Sequence, residues 1–258
     1  ATNASSRFSL AGPSGVITTT ESFNYETHQS FVFVVKAADD GGLSARAGVN
    51  VNIVDMNEPP EVQDTSRAIK ENSMPKGLVG GPIEASDVDN KLNGVDDVHQ
   101  ALTFTMNNNP EFQIGACSGQ IEVKGVGLLN FEATTIRYTV VVTVTDDGDG
   151  LLWDDANVEI NVLDINEPPA FRLTDMVRAI EENKGTDSKV GNPCTCDEPD
   201  IKTNQTHTYS IKAGNDGMLW NITPSTGQLL VNVDENVIDY ESQNLYTLLL
   251  KVIDAGVP

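Results

Sequence analysis

Asp55-Met56-Asn57-Glu58-Pro59-Pro60 returns 109 residues later as Asp164-Ile165-Asn166-Glu167-Pro168-Pro169, with one letter changed. Each copy follows an alternating run, Val49-Asn50-Val51-Asn52-Ile53-Val54 and Val158-Glu159-Ile160-Asn161-Val162-Leu163. Alternation with period two predicts a half-buried strand. The strand then meets a prolyl pair, which cannot donate ladder hydrogen bonds and stiffens the backbone. Between strand and prolines lie two acidic side chains and an asparagine. The phrase therefore reads as a short, stiff, oxygen-rich joint repeated along the chain.

Other phrases recur in the same order. Phe8-Ser9-Leu10 before Gly15 returns as Phe112-Gln113-Ile114 before Gly119, and as Trp220-Asn221-Ile222 before Gly227. The glycines are 104 and 108 residues apart (119 − 15 and 227 − 119), and each falls between apolar runs where a hairpin needs a permissive turn. Next come Phe23-Asn24-Tyr25-Glu26, Leu129-Asn130-Phe131-Glu132 and Ile238-Asp239-Tyr240-Glu241. A long strand follows each and ends at Asp39, Asp146 or Asp254, with glycine close behind. The period, about 108 residues, is the size of one small β domain.

The chain is out of register with this period. We read residues 1–57 as the C-terminal half of repeat one, 58–166 as a complete repeat two, and 167–258 as repeat three without its last strand. A half sandwich buries too little to fold alone, so a larger parent is expected. Repeat two accommodates seven strands near 66–71, 82–86, 101–106, 111–114, 120–123, 136–144 and 156–163, with no helix of three turns. Seven short alternating strands in this length predict an all-β, antiparallel Greek-key sandwich of immunoglobulin-like type. The cysteine-tryptophan-cysteine spacing of true immunoglobulin domains is missing.

Sixteen Lys and Arg against 38 Asp and Glu give a net charge of −22. That argues against nucleic acid and anionic membrane as partners, because both require basic footprints, and it suits cations. No apolar run reaches the length of a membrane span, and there is no basic-then-apolar leader at the N-terminus. Sequons stand at Asn3, Asn204 and Asn221, in keeping with a secreted, glycosylated chain. Cys117, Cys194 and Cys196 are read as small fillers, with room for one local bridge. Tyr25, Phe131, Tyr240 and Trp220 read as core; Trp153 reads as a hairpin-tip residue packing on its own sheet. His28, His99 and His207 fall in polar loops or strand edges without matched partners. No nucleophile-base pair, phosphate loop or open metal site suggests an enzyme or a small-molecule substrate.

The acidic residues that recur without joining a core are Glu71, Asp87, Asp89, Glu132, Asp146, Asp164 and Glu167, together with Asn166. All sit at strand ends, which a seven-strand sandwich gathers at its poles. Carboxylates so gathered repel one another unless a cation neutralises them, and a hard divalent ion takes six to eight oxygens. Without histidine beside them, zinc and copper fit less well.

Taken together, Glu71-Asn72, Asp87-Val88-Asp89, the Phe-x-Ile…Gly-x-Ile hairpin, Leu129-Asn130-Phe131-Glu132, the strand-end aspartates with their glycines, and the Asp-x-Asn-Glu joints resemble tandem extracellular cadherin repeats over essentially the whole chain. The resemblance implies Ca2+ between consecutive repeats, stiffening the linker into a rod that serves adhesion or mechanical linkage. It implies a first joint of Glu26, Asp55, Asn57 and Glu58 with Asp87, Asp89 and Asp146, and with the Asn93 carbonyl. It implies a second joint of Glu71, Glu132, Asp164, Asn166 and Glu167 with Asp200, Asp254 and either Asp197 or Glu198, and with Asn204 as a carbonyl donor. Asp39, Glu182, Asp239 and Glu241 match ligand positions of further joints. Asn24 and Asn130 stand where the family has aspartate, and Glu58 and Glu167 where it has the linker aspartate. Fewer or weaker ions than the usual three are therefore expected in some joints. The implied partners are other cadherin-like repeats or protein ligands, outside the cell or on its surface, with any membrane anchor outside this chain. A structural subunit of a secreted filament, built from the same repeats, is the alternative reading.

Overall fold

The computed structural model describes residues 6–92, 95–96, 100–172, 176–200 and 205–256. Asn3, Asn93, His99 and Asn204 lie outside the described residues. The chain divides into two compact units, residues 1–128 with 137–161, and residues 129–136 with 162–258.

The first unit carries the strands read for repeat two, within one to three residues at most ends. One layer is a four-stranded sheet in the order Thr103–Met106, Arg137–Thr145, Trp153–Leu163, Thr65–Lys70. Arg137–Thr145 pairs antiparallel with its successor from Arg137↔Asn161 to Thr145↔Trp153. The outer strand and the residues just before it are tied on through polar groups. Val62 N donates to Asp154 Oδ2, Asn157 N to Asp64 Oδ1, and Asn161 Nδ2 to Ser66 Oγ. These partners rise in number together, so this edge runs parallel to its neighbour, as a Greek-key crossover allows.

The other layer holds the hairpin Phe112–Ile114/Ile121–Val123 and the pair Glu61–Val62/Ala85–Ser86. Alternation does what the sequence implied. Val140, Val142, Val144, Val158 and Ile160 are fully buried on one face, and so are Phe112, Ile121, Val123 and Val79 outside that sheet. Phe112 contacts Tyr138 edge-on at 5.2 Å between ring centroids, spanning the two layers. Residues 6–52 of the same unit form the hairpin Phe8–Leu10/Ile17–Thr19 and the long pair Ser30–Ala38/Ser44–Asn52. Phe8, Phe23, Phe31 and Phe33 cluster with centroids 4.9–5.4 Å apart.

The second unit repeats the plan. His207–Ala213 pairs with Leu249–Asp254, Trp220–Ile222 with Leu229–Val231, and Ala170–Phe171 with Cys196–Asp197. Its core is Val190, Cys194, Tyr209, Trp220, Ile222, Leu229, Val231 and Ile238. Trp220 is core, as expected, and contacts Tyr246 edge-on at 5.0 Å.

The hairpin glycines meet a strict requirement. Gly119 and Gly227 adopt φ of +62° and +68°, a region that side chains avoid. A Cβ there would also lie 2.9 Å from Ile83 O or 2.7 Å from Cys194 O. The turn therefore needs glycine for conformation and for close approach.

Two aromatic expectations are corrected. Tyr240 is 62 % exposed, because it sits in a polar turn between Asp239 and Glu241 rather than on a strand. Trp153 is 60 % exposed. Its strand turns Ala156, Val158 and Ile160 inward, so alternation sends residue 153 to the outer face. Tyr25 and Phe131 are half-buried. All three cysteines are free thiols: Cys194 is a core filler, and the possible local bridge is not formed.

Candidate metal centres at the strand ends

Two sites share one hydrogen-bonded frame. In the first unit the Asn57 amide donates from Nδ2 to Asp146 Oδ2 at 3.0 Å and accepts from Gln100 Nε2 at 2.8 Å. Glu58 N donates to Asp89 Oδ2 at 2.9 Å, and Asp89 N to Asp87 Oδ1 at 2.9 Å. In the second unit Asn166 Nδ2 donates to Asp254 Oδ1 at 3.0 Å, and Asn166 accepts from Gln205 Nε2 at 2.6 Å. Glu167 N donates to Asp200 Oδ2 at 2.8 Å, and Asp200 N to Glu198 Oε1 at 3.1 Å. Four contacts thus match pair by pair.

The strand-end glycines belong to this frame. A Cβ on Gly148 would lie 1.8 Å from Asn57 Oδ1, and one on Gly256 1.6 Å from Asn166 Oδ1. Gly148 N and Gly256 N each donate to the aspartate two residues before them. The Asp-x-Gly phrase therefore does two things: its aspartate receives the linker asparagine, and its glycine clears the space.

Around the first frame, Glu26, Asp55, Glu58 and Asp89 each bring one carboxylate oxygen to within 4.8 Å of the others. Asp87 is only 3 % exposed. Its Oδ2 and Glu26 Oε2 are buried without a hydrogen-bond partner, which is costly for an acceptor unless something else meets it. Burial above all, then a hydrogen bond to Asp89 and repulsion from Glu26, Asp89 and Asp55, pushes Glu58 from 4.5 up to about 7. Burial likewise raises Asp87. An all-oxygen set with orphaned buried lone pairs and mutual repulsion fits a hard divalent cation.

In the second unit Glu132, Glu167 and Asp200 form a comparable group, and Glu182, Asp239 and Glu241 form another. Asp200 is 1 % exposed. The hydrogen bond from Asn166 holds Asp254 below the usual carboxylate range. Glu71, in the first unit, is buried at 1 % just after the strand Thr65–Lys70. Asp164 opens the linker after Leu163 and is exposed. Asn221 is exposed on its strand.

The register left open in repeat three is resolved locally. Glu198 stands where Asp87 stands, since each accepts the amide of the aspartate two residues on. Asp197 instead pairs with Arg172 at 2.6 Å, with its side chain 63 % exposed. His207 is a correction. Its Nε2 lies 2.7 Å from Glu198 Oε2, so it has a partner, and a histidine does accompany one acidic set. The strand Cys196–Asp197 carries Glu198 to the end of His207–Ala213, a proximity that spacing does not reveal. Gln100 and Gln205 were also missed. A signal existed: each precedes by four residues the strand aromatic of its repeat, Phe104 or Tyr209.

Comparison with known proteins bears on the family and the fold. The cadherin domain family matches residues 177–258. Human Protocadherin Fat 4 is 32 % identical over 250 residues, which is 95 % of this chain and 5 % of that protein. Human Protocadherin gamma-B5 is 30 % identical over 257 residues, covering 97 % of this chain and 27 % of the relative. The chain thus spans only a small part of these relatives. The crystal structure of the Protocadherin GammaB4 extracellular domain superposes with a TM-score of 0.62 at 25 % identity, over 97 % of this chain and 40 % of that one. The place of such repeats is extracellular or at the cell surface. The chain belongs to the cadherin family and is built of that family's extracellular repeats.

Proposed function

We propose that the chain is a calcium-stiffened extracellular segment that serves adhesion or mechanical linkage. The C-terminal half of repeat one (1–57), a complete repeat two (58–166) and repeat three without its last strand (167–258) are joined at Asp55–Pro60 and Asp164–Pro169. The ligands are Glu26, Asp55, Asn57, Glu58, Asp87, Asp89 and Asp146 at the first joint. At the second they are Glu71, Glu132, Asp164, Asn166, Glu167, Glu198, Asp200 and Asp254. The observation that carries this reading is the buried, partnerless Asp87 oxygen beside four converging carboxylates. Bound calcium supplies positive charge and takes up oxygen lone pairs. The chain's own part is to hold the acidic groups in place through the Asn57–Asp146 and Asn166–Asp254 frames. Without the ion, repulsion among the carboxylates loosens the linker.

Titration with calcium, following thermal stability and hydrodynamic radius, tests the reading. Calcium at 10⁻⁴ to 10⁻³ M, roughly the range of extracellular modules, raises the melting temperature and fixes the radius of the native chain. It does so less in Asp87→Ala and Asp164→Ala. Indifference of the native chain to calcium overturns the reading. The partners that fit are other cadherin repeats or protein ligands.

A further inference from the structure

The two frames match in five hydrogen bonds, and at the carboxylate that accepts the second aspartate's amide they differ in chemistry. At the first frame Asp87 Oδ1 accepts Asp89 N–H, while Oδ2 is buried and has no partner. At the second, Glu198 Oε1 accepts Asp200 N–H and Oε2 is bound by His207 Nε2 at 2.7 Å. A carboxylate only accepts, so this ring nitrogen carries the proton. The side chains of His207 and Glu198 are 21 % and 13 % exposed, and shielding from water strengthens such a bond.

The structural counterpart of His207 can be located. Phe104 and Tyr209 occupy one place in the fold: each donates its N–H at 2.8 Å to the loop of the following hairpin, to Ala116 O or Pro224 O, and each ring lies against the hairpin glycine. Two residues earlier stand Leu102 and His207. Where repeat two has a leucine, whose side chain offers no hydrogen bond, repeat three has an imidazole. Glutamate, one methylene longer than aspartate, reaches it.

We propose, resting on the calcium reading above, that His207 makes the joint of Asn166 and Glu167 a weaker calcium site than that of Asn57 and Glu58, by holding Glu198 in a bond the ion must displace. The first joint offers calcium an oxygen that nothing satisfies. The second offers one already satisfied, so the same ion gains less there. The two joints would then fill at different calcium concentrations.

Calorimetric calcium titration of the chain carrying Asp87→Ala, which cripples the first joint, isolates the second. Adding His207→Leu, the residue at the matching place in repeat two, is expected to tighten calcium binding there roughly three- to tenfold, the net worth of an ordinary hydrogen bond. His207→Gln keeps a donor and is expected to stay near the parent. Thermal unfolding in chelator checks that each variant folds. Unchanged or weaker binding in His207→Leu overturns the proposal, as does His207→Gln behaving like His207→Leu. A chain that binds no calcium at either joint overturns the calcium reading as well, so the two failures are distinct.

Discussion

Glu58 shows how a single residue records the need for a cation. Its carboxyl rises from 4.5 to about 7, chiefly through burial, then through the bond to Asp89 and the charges of Glu26, Asp89 and Asp55. A folded value above the unfolded one means that the folded chain holds the proton more tightly. The contribution to stability is therefore complete below pH 4.5 and is lost as pH rises through about 7. Asp87, raised by its own burial, acts in the same direction. In chelator, the melting temperature is expected to fall between pH 5 and pH 7.5, and Glu58→Gln, which cannot ionise, is expected to flatten that fall. With saturating calcium the ionised form is the bound form, so the decline shrinks and protons are released on binding. A metal-free melting temperature that rises across this interval would contradict the argument.

At the scale of elements, alternation decided most of the outcome. Arg137–Thr145 reads inward at Val140, Val142 and Val144 and outward between them, so its burial was legible from period two alone. The homologous strand Ser30–Ala38 leaves Val32 and Val34 71 % and 64 % exposed. The pattern names the faces of a strand without saying what covers each. The same limit explains Trp153, which alternation places outside. The frame residues were half legible. Asn57, Asn166, Gly148 and Gly256 recur in plain phrases, whereas Gln100 and His207 act only once folding brings distant strands to one end. Because Phe112 joins the two layers and is fully buried, Phe112→Ala should cost about 3–5 kcal/mol. Chemical denaturation measures this against Val32→Ala, where an exposed side chain should cost no more than roughly 0.5 kcal/mol.

For the whole molecule the governing quantity is the net charge of −22. Such a surplus keeps the chain soluble, disfavours polyanionic partners and opposes compaction through self-repulsion. Two kinds of relief are physically separable. Monovalent salt screens diffuse repulsion everywhere, as the Debye length falls from about 10 Å at 0.1 M to about 3 Å at 1 M. A divalent ion at a joint acts locally, on carboxylates already within 4.8 Å of one another, where screening by mobile ions is weak. Size adds a third distinction. Calcium accepts irregular sets of six to eight oxygens, whereas magnesium demands a near-ideal octahedron and keeps its water. Thermal unfolding in chelator should therefore rise by a few degrees across that salt range. Millimolar calcium should raise it further even in high salt, and magnesium at the same concentration should do less. Asp87→Ala should remove much of the calcium increment while leaving the salt increment intact, because one carboxylate is a small part of the total charge but a large part of one joint. If calcium and magnesium acted alike, and only as strongly as equivalent ionic strength, the acidic groups would be a solvated surface.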